Sequence, residues 1–384
     1  MKNCFCVLFA VFFLNACTSQ RKQEKDLYAI RTTDDYLTFP IDVNTRLPKF
    51  ILWTFEENGK GYLAFPNMSK EILFYDISSM DLVKKVEFDA EGNNGVGSVY
   101  GFQIKDFNNI YIASPMLPII YVADTTGRVK SKIEYEEADD GTMLAPALVH
   151  TITYSPMYFI GDSLYIPQTR SYQLKGNSPY GVMIDLKTNH KTVTPLKFQC
   201  VVKDEEIPRS TGGGKVSVCY NGGSFIYSSE VSDSIYELSR DFSDVKSFLA
   251  KSRYLKSPKV EVLSSDVDVE MLLKRKCELP AYGNLIYDKY RNVYYRFVFP
   301  EVELDKERSY LDIYHNGRKQ FSIMVLDKDF QVVGETLFPE YSYNANIFFI
   351  REDGLYISVS HFKRPDFDEN LLRFQKFELT KMNI

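Results

Sequence analysis

The chain has 384 residues, of which 45% are hydrophobic and 15% aromatic, and its 51 acidic and 46 basic side chains give a formal charge of −5. Lysine and arginine are scattered rather than grouped, which argues against a nucleic-acid partner. Beyond the N-terminus no run approaches the roughly eighteen apolar residues that a membrane-spanning helix needs.

At the N-terminus, Lys2 precedes an apolar run over residues 5–14 and then Leu14-Asn15-Ala16-Cys17. The run is too short to span a bilayer and has the layout of a secretory signal, and a small residue directly before cysteine resembles the bacterial lipobox. Residues 1–16 therefore read as a lipoprotein signal peptide, Cys17 as the lipidated first mature residue, 17–34 as a polar tether and 35–384 as one domain. The expected location is the cell envelope, lipid-anchored, with the outer membrane as the membrane. Cys4 and Cys6 leave with the signal, while Cys200, Cys219 and Cys277 lack metal or redox spacing. They are expected to be small buried side chains, with a Cys200–Cys219 disulfide as the alternative.

Six times along the rest of the chain, a short strand centred on an aromatic is followed by an apolar strand that ends in an acidic residue at a tight turn. The anchors Tyr62, Tyr111, Tyr165, Ile226, Tyr294 and Tyr356 are spaced by 49, 54, 61, 68 and 62 residues, and the acidic ends are Asp76, Asp124, Asp185, Glu237, Asp327 and Glu378. Repeats of this size with strand signals alone predict an all-β, six-bladed β-propeller of four-stranded antiparallel blades. The blades are expected at about 49–89, 100–135, 157–198, 216–251, 283–337 and 345–379. Residues 129–135 alternate cleanly, as an outer strand wetted on one side should, and the 27 tyrosines and 28 phenylalanines are read as inter-blade packing. The repeated aspartates are read as turn residues that accept backbone N–H groups.

Blade six runs out of chain after three strands, whereas residues 36–41 form a strand with no assigned partner. The N-terminal strand is therefore expected to complete blade six, closing the ring and hiding an edge. The one helical signal is residues 264–277, with Ser265 and Asp266 as N-cap candidates. Lys274, Arg275 and Lys276 in its last turn are read as solvated dipole partners, with a basic binding site as the alternative.

Turns between first and second strands, and between third and fourth, are short; the second-to-third and inter-blade connections are long and variable. In an up-and-down blade the variable classes emerge on one face, so that face is the binding candidate. The ligand-binding candidates there are Asn67, Gln168, Arg170, Tyr282, Arg296 and His361, with Glu230, Tyr100 and Tyr343 placed on the same face. Arg296 is read as a bidentate clamp for a carboxylate or sulfate, or alternatively as an inter-blade ion pair or cation–π partner of a nearby tyrosine. His150 and His361 read as loop or packing residues before they read as catalysts.

Catalytic patterns are sparse. Gly212-Gly213-Gly214-Lys215 has Arg209 where a P-loop needs glycine and Val216 where it needs Ser or Thr, so it reads as a flexible turn. No Gly-x-Ser-x-Gly or His-Glu-x-x-His motif occurs, and no cofactor or metal site is assigned.

Leu14-Asn15-Ala16-Cys17, the six repeats and the aromatic stretch 282–296 together resemble uncharacterised six-bladed β-propeller lipoproteins of Gram-negative anaerobes, a domain-of-unknown-function family similar in architecture to TolB-type and NHL-type propellers. That resemblance implies an envelope location and a binding role, and it carries over no catalytic residue. The leading expectation is a lipid-anchored module that binds a peptide, glycan fragment or partner protein on its long-loop face. The alternatives are an envelope hydrolase or lyase on sugars or lactones using channel-mouth carboxylates, with or without calcium, and a structural member of an envelope complex.

Overall fold

Aromatic and β-branched residues form strands here because their side chains stand off a pleated surface and pack on both of its faces. The computed structural model describes residues 27–114, 116–146, 152–170, 178–198, 201–307 and 309–382. The signal segment, Cys17, His150 and Cys200 lie outside the described residues.

The described residues form six four-stranded antiparallel sheets. Blade one comprises Trp53–Glu57, Lys60–Asn67, Glu71–Asp76 and Leu82–Glu87. Blade two comprises Gly101–Asp106, Asn109–Ala113, Ile119–Ala123 and Val129–Glu134. Blade three comprises Tyr158–Ile160, Ser163–Pro167, Gly181–Asp185 and Lys191–Val193. Blade four comprises Val216–Tyr220, Ser224–Ser229, Ser234–Ser239 and Val245–Leu249. Blade five comprises Ala281–Asp288, Val293–Phe299, Ser322–Leu326 and Val332–Leu337. In blade six, Asn344–Arg351, Gly354–Ser358 and Leu371–Lys381 are joined by the N-terminal strand Tyr28–Pro40.

That N-terminal strand pairs antiparallel with Leu371–Lys381, from Tyr28 opposite Lys381 to Pro40 opposite Leu371, with one irregularity between Thr32 and Tyr36. It starts at Tyr28, so residues 28–34, expected to belong to a tether, are part of a blade.

The hydrophobic core is divided among the gaps between blades. Phe74, Ile72, Phe102 and Ile112 fill the gap between blades one and two; Ile120, Leu164, Ile166 and Val182 fill the next. Tyr165, Phe225 and Tyr227 join blades three and four, and Ile226, Ile235, Leu285 and Tyr294 join four and five. Phe297, Ile323, Phe348 and Ile357 join five and six. Between blades six and one, Phe39 is fully buried against Tyr75 and Phe374, with ring centroids at 5.7 and 6.0 Å. The inner strands are thus apolar on both faces, while the fourth strands, such as Leu82–Glu87 and Val245–Leu249, are largely exposed.

The repeated aspartates sit in turns as expected. Asp185 Oδ1 accepts from Lys187 and Thr188 N–H at 2.9 and 2.8 Å, and Asp327 Oδ1 from Asp329 and Gln331 N–H at 2.9 Å each. Cys219 and Cys277 are buried and free, and burial pushes the Cys277 thiol up to about 11.

Helix α1 spans Val269–Glu278, later than the expected start. Its cap is Asp268, whose carboxylate accepts from Met271 N–H at 2.6 Å, because Asp268 and not Asp266 holds the extended backbone just before the first turn. A second helix, α2 at Tyr310–Asn316, lies in the long connection of blade five and was not anticipated. The two helices pack together through Cys277, Leu304, Ile313, Tyr310 and Tyr314. Gly317 ends α2 at φ 109, where a Cβ would come within 2.8 Å of the Tyr343 carbonyl oxygen, so only glycine lets the chain turn there without displacement.

Phe39→Ala is expected to cost about 3–5 kcal/mol, because it opens a cavity in the gap between blades six and one. Deletion of residues 27–40 is expected to lower the melting temperature of the whole molecule in a single transition. Thermal unfolding by circular dichroism checks both, and an unchanged melting temperature in the deletion would contradict the role given to this strand.

Candidate functional site

Most of the side chains expected to bind ligand are committed to the protein itself. Arg296 is fully buried. Its Nε donates to Ser228 Oγ at 2.9 Å, Nη1 to Ala250 O at 2.8 Å and Asp233 O at 3.3 Å, and Nη2 to Ser232 O at 2.6 Å. The guanidinium lies 3.4 Å from the Tyr282 ring centroid, and burial pulls its pKa down to about 10. The clamp reading of Arg296 is corrected accordingly: its hydrogen bonds to Ser228, Ser232, Asp233 and Ala250 tie blade five to blade four, while the cation–π contact given as its alternative is made with Tyr282 of its own blade. Tyr282 is likewise buried and donates its hydroxyl to Asp233 at 2.5 Å.

The other candidates anchor loops. Asn67 accepts from Arg46 N–H at 3.2 Å and donates to Asn44 O at 3.1 Å. Gln168 Oε1 accepts from Ala145 N–H at 2.8 Å. Arg170 pairs with Asp204 at 2.7 Å and donates to the carbonyls of Val202 and Gly213. His361, fully buried, accepts from Lys363 N–H on Nδ1 at 3.2 Å, so Nε2 carries the proton and donates to Gly317 O at 3.2 Å. These residues fix the connections whose neighbours form the site.

Between those connections a cavity of about 670 Å³ opens. Leu47, Phe50, Ile51, Met68, Val99 and Tyr100 supply its apolar wall, and Arg46, Lys49, Arg170, Lys215, Glu230, Lys276, Tyr314, His315 and Arg318 its polar lining. Of the expected ligand residues only Arg170 belongs to this lining. The sequence read Lys276 as a solvated dipole partner, but it lines the cavity from α1, whereas Arg275 of the same turn is spent on Glu261 and Glu278 at 2.7 and 2.6 Å.

The glycine run has a structural task. Gly213 at φ 91 lets the N–H groups of Gly213, Gly214 and Lys215 converge on Glu230 Oε1 at 2.6, 3.0 and 3.0 Å. The carboxylate is a nest ligand supplied by the protein, and the loop it holds delivers Lys215. Lys215 Nζ donates to Tyr314 Oη at 2.6 Å. The Lys215 ammonium pulls the Tyr314 phenol below its ordinary pKa against the effect of burial, with Lys276 and Arg318 acting in the same direction. Lys276 is itself lowered, first by burial and then by repulsion from Lys215 and Arg318. On the rim, Lys49 Nζ stands 3.1 Å from His315 Nδ1, and burial together with Lys49 pushes His315 down to about 4, so its imidazole is neutral at pH 7. Among the described residues, none of Arg46, Lys49, Lys215, Lys276 and Arg318 makes a salt bridge.

The opposite end of the ring has a second cavity of about 740 Å³ along the inner strands, lined by Phe55, Glu56, Tyr220, Tyr287, Lys289, Arg351 and Glu352 among others. Its charges are mixed. Among the described residues no group of three His, Cys, Asp or Glu side chains is arranged to hold a metal ion.

Six four-stranded antiparallel blades with their cores between them define a six-bladed β-propeller. The chain belongs to the family described as domain of unknown function DUF4221, whose profile matches residues 28–337. It is similar to a DUF4221 family member from Bacteroides vulgatus, at 27% identity and a TM-score of 0.77 over 93% of this chain and 100% of that one. It is similar in fold to a candidate exported protein from Bacteroides fragilis, at 10% identity and a TM-score of 0.55 over 91% of this chain and 95% of that one. Among curated proteins none matches the chain.

Arg296→Lys is expected to destabilise the protein by about 3 kcal/mol, because an ammonium cannot reproduce the planar fork and leaves buried acceptors unpaired. Urea unfolding measures it, and a loss under about 0.5 kcal/mol would contradict this tie between the blades. The depressed pKa of His361, about 4 against 6.5, means that its neutral form is the folded form. Its contribution, up to roughly 3 kcal/mol, is complete above pH 6.5 and is lost as pH falls toward 4. His361→Gln is expected to flatten this slope between pH 7 and 4.5, leaving the share from His315; an unchanged slope would contradict the assignment.

Proposed function

We propose that this protein is an exported, lipid-anchored binding module that captures a ligand in the cavity of its long-loop face and does not turn it over. The observation that carries the reading is the convergence, from six separate chain segments, of an apolar wall and cations that make no salt bridge among the described residues on one cavity of about 670 Å³. The rigid ring and the committed side chains of Asn67, Gln168 and Arg170 hold those segments in place, which reduces the ordering cost of binding. The N-terminal sequence Leu14-Asn15-Ala16-Cys17 supports export and acylation at Cys17, and the chain after it leads directly into the strand of blade six.

Carboxylate-based hydrolysis has little support in this cavity, since Glu230, the one carboxylate of its lining among the described residues, is held by three backbone N–H groups. A peptide or glycan fragment small enough for the cavity suits the reading better than a flat protein surface would.

The test is a thermal-shift panel of short peptides and oligosaccharides on the wild type and on Thr169→Trp, which fills the cavity from its wall. A ligand that raises the wild-type melting temperature by several degrees and leaves the variant unmoved is the expected result. A shift of equal size in both proteins would place binding elsewhere. For the anchor, Cys17→Ser is expected to move the protein from the membrane to the soluble fraction, and retention in the membrane fraction would overturn it.

A further inference from the structure

We infer that the ligand of this cavity carries an oxyanion group, a carboxylate, sulfate or phosphate, on an apolar body, and that Lys215, Lys276, Arg318 and Tyr314 receive the anionic end. The inference rests on the binding reading above and deepens it.

An ammonium has donors only, so in the 2.6 Å contact between Lys215 Nζ and Tyr314 Oη the phenol oxygen accepts. The Tyr314 proton must then be offered to something else, and among the described residues no acceptor for it is found. The same logic applies to His315. Its Nδ1 accepts from Lys49 Nζ at 3.1 Å, so Nε2 carries the proton, again without an acceptor among the described residues. Lys276 is half-buried and has neither a hydrogen-bond nor a salt-bridge partner among the described residues. Arg318 gives one N–H to Leu279 O at 3.1 Å and lays its guanidinium 4.4 Å from the Phe299 ring centroid, which uses one of its five donors.

Acceptors are few in the same lining, where Glu230 is the one carboxylate among the described residues. Glu230 Oε1 already takes three N–H groups, and Asp204, the carboxylate nearest to Arg170, is paired with it. Against the single carboxylate Glu230 the lining sets Arg46, Lys49, Lys215, Lys276 and Arg318; Tyr314 and Glu230 steady the Lys215 ammonium, but Lys215 and Arg318 repel Lys276, and like charges that approach in a partly desolvated space raise the free energy of the site. A bound anion removes that repulsion and supplies acceptors for Lys215, Lys276, Arg318 and the Tyr314 hydroxyl together. The chain carries a net charge of −5, so this concentration of positive charge is not a by-product of a basic protein. The apolar wall opposite, including Phe50 and Tyr100, gives the rest of the ligand a surface to cover.

Calorimetric titration with naphthalene-1-sulfonate and the uncharged naphthalene-1-sulfonamide, equal in shape, tests the inference. The sulfonate is expected to bind one to one and at least tenfold more tightly than the sulfonamide. Lys215→Met and Lys276→Met are each expected to weaken the sulfonate tenfold or more, with melting temperatures within about two degrees of wild type. Naphthalene-1-carboxylate and 1-naphthyl phosphate, titrated alongside, distinguish which oxyanion the site prefers. Equal binding of sulfonate and sulfonamide, or sulfonate binding unchanged in both variants, would overturn the anion inference and leave the cavity as a binding site. Absence of binding by all four compounds at millimolar concentration would overturn the cavity reading itself.

Discussion

Each inner strand of this protein is apolar on both faces because a neighbouring blade covers each of them, and no blade can hide its core alone. Six inter-blade gaps, filled by clusters such as Phe39–Tyr75–Phe374 and Phe297–Phe348, are therefore the constraint from which the rest follows. Backbone pairing within blades sets the strands, and packing between blades sets the ring. Because the ring is held by its interior, the connections on one face are free to differ in length and to carry charge. The apolar mass and the polar site are separated in space, with Arg296 and Glu335 among the few charged groups sunk into the scaffold.

The cavity depends on that scaffold in a specific way. Lys215 is delivered by a glycine loop that Glu230 holds, Lys276 by α1, Tyr314 and His315 by α2, and Arg318 by the turn at Gly317. The loops are in turn pinned by buried polar side chains at the ends of strands, Asn67, Gln168, Arg170 and His361. A charged cluster of this kind is costly to assemble in an empty protein, and the stability of the six inter-blade cores is what sustains it.

Much of the fold was legible in the sequence, and the reason is physical. Inter-blade packing favours aromatic and β-branched residues on the inner strands, so Tyr111, Tyr165 and Tyr294 recur at strand spacing and mark the blades directly. Turn aspartates such as Asp185 and Asp327 were legible because the carboxylate and the N–H groups it accepts are two to four residues apart. The fourth strand of blade six was legible as a deficit, with three strands at one end of the chain and an unpaired one at the other. Helix α2 was not, since Tyr310–Asn316 is seven residues long and Ser309 makes no side-chain capping bond.

The site was legible only as a face. Arg46, Lys49, Lys215, Lys276 and Arg318 are scattered along 273 residues of sequence, and nothing local distinguishes them from other surface cations. Arg296 stood out because of its aromatic neighbours, yet those neighbours mark burial, and the carbonyls that hold it come from Ser232, Asp233 and Ala250 of another blade. The most direct test of the account is the anomalous diffraction of a crystal soaked in selenate. A selenium peak is expected within hydrogen-bond distance of Lys215 and Lys276 inside the cavity; peaks confined to the outer surface, with none between those two ammonium groups, would contradict an anion site there.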